Sequence, residues 1–314
     1  MNKALITLLA FFFSFSALAG GKTVPDHPAE KIAANTYVIH GPTELPNPAN
    51  RGFMNNPAFI LTPKGVVVID PGSSVQVGEM VLRQIEKVTD APVIAVFNSH
   101  IHGDHWLGND AIRAKYPQAR IYGHKQMIAM VEQGEGENWL GIMDSMTEGA
   151  TAGTRVVKPD TAVDNRQTLE IGGHRFAIIH LGKAHTATDI MVHYQQDDVL
   201  FTGDNAGNRR ILRVDHGSFK GNADTLQAAI EMKPKHVVPG HGKTGGVEIL
   251  EQYRNYLATL YREVEKGYDE DLSDFEMKPR IHTVLQAFHD WGGYEEELGR
   301  HISQAYLEIE AAGF

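Results

Sequence analysis

Short apolar runs separated by turn-forming residues recur along most of the chain. Residues 58–62 and 66–69 flank a Pro-Lys-Gly turn and predict two antiparallel strands. Apolar residues at positions 77, 81, 85 and 88 then recur at helical spacing, which predicts a helix that begins after Ser73 or Ser74. The next apolar run, residues 93–97, predicts a further strand.

The same order of elements returns in the second half of the chain. An antiparallel meander, a helix and a further strand are predicted over residues 167–171, 174–181, 190–194, 199–202, 223–232 and 236–238. Asn222 is the expected cap of this helix, and the chain is mostly helical after Val247. Two facing sheets with helices outside would bury this amount of apolar strand and place loops from both halves at one edge.

Residues 133–160 interrupt this alternation. The segment is rich in glycine, and Trp139, Met143 and Met146 indicate a short helix within it. A segment of this kind is either a surface insertion or a lid over a functional site, and both interpretations stay open.

Histidines and an aspartate cluster directly after the predicted strand 93–97. In an extended segment residues i and i+2 point the same way, so His100 and His102 can direct two imidazoles at one metal ion. Asp104 and His105 follow at the turn into the next element, where their side chains can reach a second cation. With 16 His in 314 residues, this spacing stands well above a chance match.

Three more segments share one form, an apolar strand, then a small-residue turn, then an acid or an imidazole. Their candidate ligands are His185, Asp204 and His241, and glycines close to these residues let the backbone turn sharply. With the first cluster they supply seven nitrogen and oxygen ligands, the number that a paired-metal site requires.

The chain contains no cysteine, which excludes disulfides, thiolate nucleophiles and cysteine-based zinc sites. Any metal must therefore be held by nitrogen and oxygen. The formal net charge is −10 and Lys and Arg form no block, so nucleic acid is a poor partner. The length is sufficient for one large domain with a substantial core.

The amino terminus has a basic start, an apolar middle and a small-residue end. This pattern predicts a secretory signal peptide over residues 1–19, cleaved after Ala19. A membrane anchor would need about 20 apolar residues, more than this run provides. We therefore expect an exported, periplasmic or secreted protein with no membrane contact after cleavage. Its domain would span residues 20–314, with a core over about 36–245 and a helical extension over about 246–314.

These ordered motifs resemble the metallo-β-lactamase superfamily over roughly residues 36–245. The resemblance implies a four-layer αββα sandwich with its metals at one edge, here with extra C-terminal helices. It implies three ligands on each of two metals and one acid that bridges them. The first metal would be bound by His100, His102 and His185, the second by Asp104, His105 and His241, and the bridging acid would be Asp204. Asp70 matches the strand-end acid of the family, which supports a ligand histidine without binding metal, although a plain turn former before Pro71 and Gly72 is the alternative.

Two zinc ions suit this ligand set, and iron or manganese would also accept such hard donors. Cations bridged by Asp204 can share a water and lower its pKa to about 7, which makes a bridging hydroxide available to attack a carbonyl carbon. In this scheme Asp104 is the catalytic residue that orients the nucleophile, and His241 with the second metal stabilises the departing anion.

The acid at position 204 is similar to that of glyoxalase II and related thioesterases, lactonases and phosphoesterases, whereas the best-known lactamases have cysteine there. The export signal, residues 217–221 and residues 306–308 are similar to periplasmic hydrolases of sulfur and methanol oxidation, including the quinoprotein relay zinc metallohydrolases. We therefore expect a binuclear metallohydrolase that cleaves a thioester, ester or lactone.

Other functions on the same fold stay open. They are a β-lactamase activity, an iron-dependent redox enzyme of the dioxygenase or flavodiiron kind, and a binding or relay protein with a structural metal. The expected partner is a small molecule, with an anion as one option; loop residues that suit an anion are Asn55, Asn56, Asn205, Arg209, Arg210 and Lys220.

Overall fold

The computed structural model describes residues 23–313, which form two β-sheets with helices on both outer faces. The signal peptide predicted over residues 1–19 lies outside the described residues. Within residues 23–313, no helix has the length and apolar content needed to cross a membrane.

The first sheet has seven strands that follow one another in the order of the chain. They are β1 (Glu30–Lys31), β2 (Thr36–Val38), β3 (Ala58–Thr62), β4 (Gly65–Ile69), β5 (Val93–Phe97), β6 (Arg120–His124) and β7 (Thr161–Val163). Strands β1 to β4 pair antiparallel, and β4 to β7 pair parallel. The predicted hairpin and the strand over 93–97 are confirmed.

The second sheet has five strands in the order β12-β11-β10-β9-β8. They are β8 (Thr168–Ile171), β9 (His174–Ile179), β10 (Met191–Tyr194), β11 (Val199–Gly207) and β12 (His236–His241). Strands β8 to β11 form the predicted antiparallel meander, and β12 lies parallel to β11. Each sheet therefore passes from antiparallel to parallel pairing after a helical crossover.

The helices are distributed over both halves of the chain. They are α1 (Val75–Glu86), α2 (Gly103–Trp106), α3 (Asn109–Lys115), α4 (Lys125–Met130), α5 (Gly136–Met146), α6 (Phe219–Glu231), α7 (Glu248–Asp269), α8 (Asp274–Val284) and α9 (Tyr294–Ala312). A kink at Gly134, within Val131–Glu135, joins α4 to α5. The interrupting segment thus contains a helix longer than its sequence pattern indicated.

Alternation along β4 shows how the layers are built. Val66 and Val68 are buried against α1 and α3, whereas Val67 and Ile69 are buried against the second sheet. This follows from the two-residue period of a strand, whose successive side chains point to opposite faces. The outer face of the second sheet is in turn covered by α6, α7 and α9. The αββα sandwich is therefore confirmed.

Two helix starts depend on serine caps. Ser74 accepts a hydrogen bond from the backbone nitrogen of Val77 at 3.2 Å, as predicted for α1, although Val88 is exposed beyond the end of this helix. In contrast, α6 begins earlier than predicted, with Ser218 as its cap, and Asn222 lies inside the helix. The Ser218 hydroxyl also donates to Glu308 of α9, a tertiary contact that sequence spacing does not reveal.

Candidate metal site

One edge of the sandwich collects the carboxyl ends of strands from both sheets. Asp70 follows β4, the His-rich loop follows β5, and a loop that contains His185 follows β9. Asp204 lies within β11, and His241 ends β12. Parallel strands end at the same edge of a sheet, which is where ligands bind in open α/β sheets. The fold therefore brings all the predicted ligands to one place.

A first group of side chains consists of His100, His102, His185 and Asp204, whose ligand atoms lie within 4.8 Å of one another. The Nε2 of His185 is 3.0 Å from the Nδ1 of His102 and 3.5 Å from the Oδ2 of Asp204. The Nε2 of His100 lies 3.9 Å from the same oxygen. Three imidazoles and one carboxylate oxygen thus converge on one point.

A second group consists of Asp104, His105 and His241, whose ligand atoms also lie within 4.8 Å of one another. The Oδ2 of Asp104 is 3.4 Å from the Nε2 of His105 and 3.2 Å from the Nε2 of His241. The other carboxylate oxygen of Asp204, Oδ1, lies 3.1 Å and 3.3 Å from the same two nitrogens. Asp204 therefore directs one oxygen to each group.

Hydrogen bonds on the far side of the rings hold these imidazoles in position. The Nδ1 atoms of His100, His105 and His241 lie 2.9 Å from the Ser99 hydroxyl, 2.8 Å from Asp70 and 3.0 Å from the Met54 carbonyl, respectively. The Nε2 of His102 lies 3.1 Å from the Nδ1 of the exposed His216. Outer contacts of this kind fix both the orientation and the tautomer of a ligand histidine.

The charges within the site differ between the two groups. Burial and neighbouring imidazoles hold the pKa values of His100 and His102 well below their usual range, and burial lowers the pKa of His185 to about 4. Burial opposes the charged form of Asp204, but His241 and His105 outweigh it and hold the pKa of this carboxyl well below its usual range. Ionised carboxylates and neutral imidazoles are the forms that bind metals.

The pKa values of His105 and His241 shift in the opposite direction from those of the first group. Burial opposes their charged forms, but nearby carboxylates, that of Asp204 first, outweigh it and raise the pKa values of both rings, that of His105 well above its usual range. The carboxylates around these two rings therefore favour positive charge between them. A divalent cation would provide the same charge compensation.

The donor set fits divalent metals. The Nε2 atoms of His100 and His105 and the Oδ1 of Asp204 are buried and make no hydrogen bond to any described residue. Buried polar atoms without partners are costly, and metal ligation would satisfy all of them. Imidazole and carboxylate donors suit zinc, and iron or manganese as well.

Several other predicted loop residues have structural partners. Asn56 donates to the carbonyls of Pro239 and Gly242, and Arg209 forms an exposed ion pair with Asp290. Lys220 pairs with Asp224 one turn further along α6, and Asn55 donates to the Asp70 carbonyl. Asn205 donates to the Thr202 carbonyl.

Arg210 differs from these loop residues. It is 5% exposed, and its guanidinium contacts the Nδ1 of His241 at 3.4 Å. No carboxylate forms an ion pair with it within the part of the chain that the structure describes. Sequence spacing did not separate Arg210 from the exposed Arg209, because the difference arises from long-range packing.

The chain is similar to characterised proteins in sequence. It is 24% identical to a linear primary-alkylsulfatase from Pseudomonas sp., a match that covers 79% of this chain and 55% of the relative. It is 29% identical to a hydroxyacylglutathione hydrolase from Synechococcus sp., over 51% of this chain and 52% of the relative. The chain thus spans about half the length of these curated relatives.

Solved structures show the same fold. The stereoselective inverting sec-alkylsulfatase Pisa1 from Pseudomonas sp. has a TM-score of 0.69 at 17% identity, and the match covers 90% of this chain and 50% of that chain. A metallo-beta-lactamase from Pontibacter korlensis has a TM-score of 0.59 at 19% identity, and the match covers 73% of this chain and 98% of that chain.

A model of the Metallo-beta-lactamase superfamily matches residues 50–241, which is more than half of the chain. The matched range contains every residue of the two candidate ligand groups. Together with the αββα sandwich and its shared edge, this match identifies the family. The chain belongs to the metallo-β-lactamase superfamily.

Proposed function

We propose that this protein is a binuclear metal-dependent hydrolase that cleaves a thioester, ester or lactone. The position of Asp204 carries the proposal, because its two carboxylate oxygens face two separate groups of donor atoms. A carboxylate that serves a single metal, or only a structural ion pair, has no need of donors on both sides. The seven side chains of these groups are the proposed ligands of two divalent cations, with zinc favoured by the imidazole content.

A pair of divalent cations would supply Lewis acidity and would lower the pKa of a shared water when bound. The protein supplies the rest of the chemistry. Asp104 has its Oδ2 between the Nε2 atoms of His105 and His241, and these imidazoles outweigh burial and hold its pKa well below its usual range. Asp104 is therefore ionised and can accept a hydrogen bond from the nucleophile. We assign it the role of orienting that nucleophile.

The burial of Arg210 is an argument for an anionic substrate. A buried guanidinium without an ion-pair partner is expensive to maintain, and burial lowers its pKa, although Asp204 and Asp104 oppose that effect. Arginine recognises carboxylate and sulfate groups through paired N–H donors. A substrate that carries a negative charge would supply the ion-pair partner that Arg210 does not find among residues 23–313.

A sulfate ester is the second candidate substrate. The likeness to the sec-alkylsulfatase covers 90% of this chain, so it includes part of the C-terminal helices as well as the sandwich. A sulfate ester also carries the negative charge that this proposal assigns to the substrate. The chain spans only part of the length of the alkylsulfatases, so their activity enters here as a hypothesis for assay.

The experiment begins with metal analysis by mass spectrometry on protein produced with its own amino terminus and exported. The protein would then be assayed with thioesters, lactones, phosphodiesters, alkyl sulfates and a chromogenic cephalosporin. We expect about two metals per chain and turnover of a carbonyl substrate. Oxygen consumption by an iron-loaded protein without hydrolysis would contradict the proposal.

Asp204→Ala tests the bridging assignment. We expect the metal content to fall from about two to about one per chain and hydrolysis to be lost. Asp164→Ala is the matched control, because Asp164 is an exposed carboxylate at the end of β7 that pairs with Lys125. Unchanged metal content in Asp204→Ala would refute the bridge.

We also propose that the protein is periplasmic or secreted. The pattern over residues 1–19 supports export. Cell fractionation of a bacterial expression host, followed by amino-terminal sequencing, would test this proposal. We expect the processed chain to begin after Ala19, and an unprocessed chain in the cytoplasm would contradict it.

A further inference from the structure

The candidate metal site opens at one ligand. His102 is half-buried, whereas the remaining six candidate ligand residues are 0–6% exposed. A small molecule must therefore approach the metals from the side of His102. The residues around this imidazole decide which substrates can enter.

Trp139 of α5 lies at this opening. Its ring centroid is 4.9 Å from that of His102, the two planes are inclined by 49°, and the indole is half-buried. A Cβ on Gly103 would come within 2.9 Å of the Cβ of Trp139. The glycine that follows His102 therefore allows α5 to lie directly against the metal loop.

Apolar packing below the helix holds Trp139 in this position. Met143, on the inner side of α5, is 2% exposed and belongs to a cluster with Ile101 and Trp106 of the metal loop and its following helix. Gly134 has a φ of 109°, and it turns the chain between α4 and α5. The indole is thus fixed from the core side and presents its remaining surface at the opening.

An apolar stripe continues from Trp139 along the same face of α5. Ile142 and Met146 follow Trp139 at helical spacing, and these two residues also line an open groove beside it, together with Glu137, Asn138, Gly141 and Ser145. Met146 is 37% exposed. Seven residues of helix extend about 10 Å, which is the length of an alkyl chain of about eight carbons.

We propose that Trp139, Ile142 and Met146 form the binding track for an unbranched alkyl or acyl chain of the substrate. This inference rests on the proposed hydrolase function and narrows its substrate class. The reacting group would lie at the metals, and the chain would pass the indole and continue along α5. Trp139 is a specificity-determining residue in this arrangement, and it takes no part in bond cleavage.

Hydrolysis of p-nitrophenyl esters from acetate to decanoate tests the track. In the wild type we expect KM to fall by about twofold per added methylene, which is the effect of partial burial of each group. Trp139→Ala should remove most of this dependence, so that KM for the decanoate ester rises far more than KM for the acetate ester. Trp139→Phe should restore part of the dependence.

Two further variants separate substrate binding from structural support. Ile142→Ser changes a residue beyond the opening, so KM should rise only for chains of about six carbons or more. Leu140→Ala is the matched control, because Leu140 lies on the same helix and packs into the cluster beneath it. Equal chain-length dependence in the wild type, Trp139→Ala and Ile142→Ser would overturn the inference and leave the hydrolase function intact.

Calorimetric titration with n-alkyl carboxylates from acetate to decanoate provides a readout that needs no turnover. Zinc-loaded wild-type protein should bind the longer carboxylates more tightly, and Ile142→Ser should weaken that preference. Chain-dependent binding without ester hydrolysis would contradict the proposed hydrolysis and support the track. Binding that is independent of chain length would overturn the track, even if Trp139→Ala fails to fold.

Discussion

The Oδ2 of Asp70 lies 2.8 Å from the Nδ1 of His105, and the same carboxylate accepts hydrogen bonds from the backbone nitrogen and the hydroxyl of Ser99. Asp70 thus orients one candidate ligand and holds the loop that carries three others, His100, His102 and Asp104. Asp70 has a φ of 47°, a left-handed conformation that aspartate tolerates better than most residues. Asp70 therefore both forms the turn and supports a ligand histidine, the two roles that the sequence left as alternatives.

Asp70→Asn should therefore weaken metal binding without unfolding the protein. The amide has one accepting oxygen and one donating nitrogen, so it cannot satisfy both Ser99 and the Nδ1–H of His105. We expect the affinity for the second metal to fall by about 10–100-fold, the usual effect of losing such an outer contact. Competition with a chromophoric chelator measures this affinity, and circular dichroism monitors the fold.

Asp164→Asn is the control for this substitution, because its carboxylate is exposed and pairs with Lys125. We expect metal affinity in this variant to match the wild type. Wild-type affinity in Asp70→Asn would show that the contact with His105 does not support metal binding.

Arg210→Met should discriminate between charged and neutral substrates. If the guanidinium binds the anionic group, KM for an anionic substrate should rise by about 10–100-fold, with less than about a twofold change for a neutral ester. Arg209→Met is a matched control, since Arg209 is adjacent, exposed and paired with Asp290. An equal effect on both substrates would assign Arg210 to structural support of His241.

His301 should make the protein sensitive to mild acid. The ring is 1% exposed, and its Nδ1 lies 2.8 Å from the hydroxyl of Tyr256. Burial lowers its pKa from 6.5 to about 3, so the unfolded chain binds one more proton than the folded chain between these values. The contribution of His301 to the free energy of unfolding is therefore fully present above about pH 6.5. It is lost as the pH falls toward 3, by at most about 1.4 kcal/mol per pH unit.

Urea denaturation at pH 7.5 and 5.5, with a chelator present at both values, measures this loss. His301→Gln should reduce the difference between the two free energies of unfolding. His236→Gln controls for the loss of one histidine, since His236 lies half-buried at the start of β12. An unchanged difference in His301→Gln would mean that other groups cause the acid sensitivity.

Local pattern was sufficient for much of the fold. The run at positions 66–69 is flanked by a turn on one side and Asp70 on the other, and alternation alone assigns its side chains to two cores. The spacing of His100 and His102 predicts convergence in the same way, because both follow an extended segment. These features depend on neighbours within a few residues, where backbone geometry restricts the options.

Features that depend on distant contacts were not predictable. Nothing in the sequence distinguishes Arg209 from Arg210. In the structure the backbone of Arg210 pairs with Gly292, and of the two arginines only Arg210 is buried. The residue that caps α6, Ser218, donates a hydrogen bond to Glu308, 90 residues away. Strand β7 has only three residues, too few to show a period, and it forms by pairing with β6.

The C-terminal helices should be part of the folding unit. Leu257 of α7 is fully buried in a cluster with Leu226 of α6 and Val237 of β12, so α7 covers the outer face of the second sheet. Leu257→Ala should lower the free energy of unfolding by about 2–5 kcal/mol, because it leaves a cavity in this layer. Chemical denaturation with analysis of the cooperativity of the transition measures the effect.

Leu307→Ala is the control for Leu257→Ala, because it makes the same substitution at an exposed leucine. Leu307 lies in α9 and is 59% exposed, so its removal leaves no cavity, and the free energy of unfolding should change by less than about 0.5 kcal/mol. A single transition that shifts in Leu257→Ala would mean that the helices after residue 246 unfold together with the sandwich. Two transitions, with only one affected by Leu257→Ala, would instead mean that these helices fold independently, because an autonomous unit does not transmit a core defect to its neighbour.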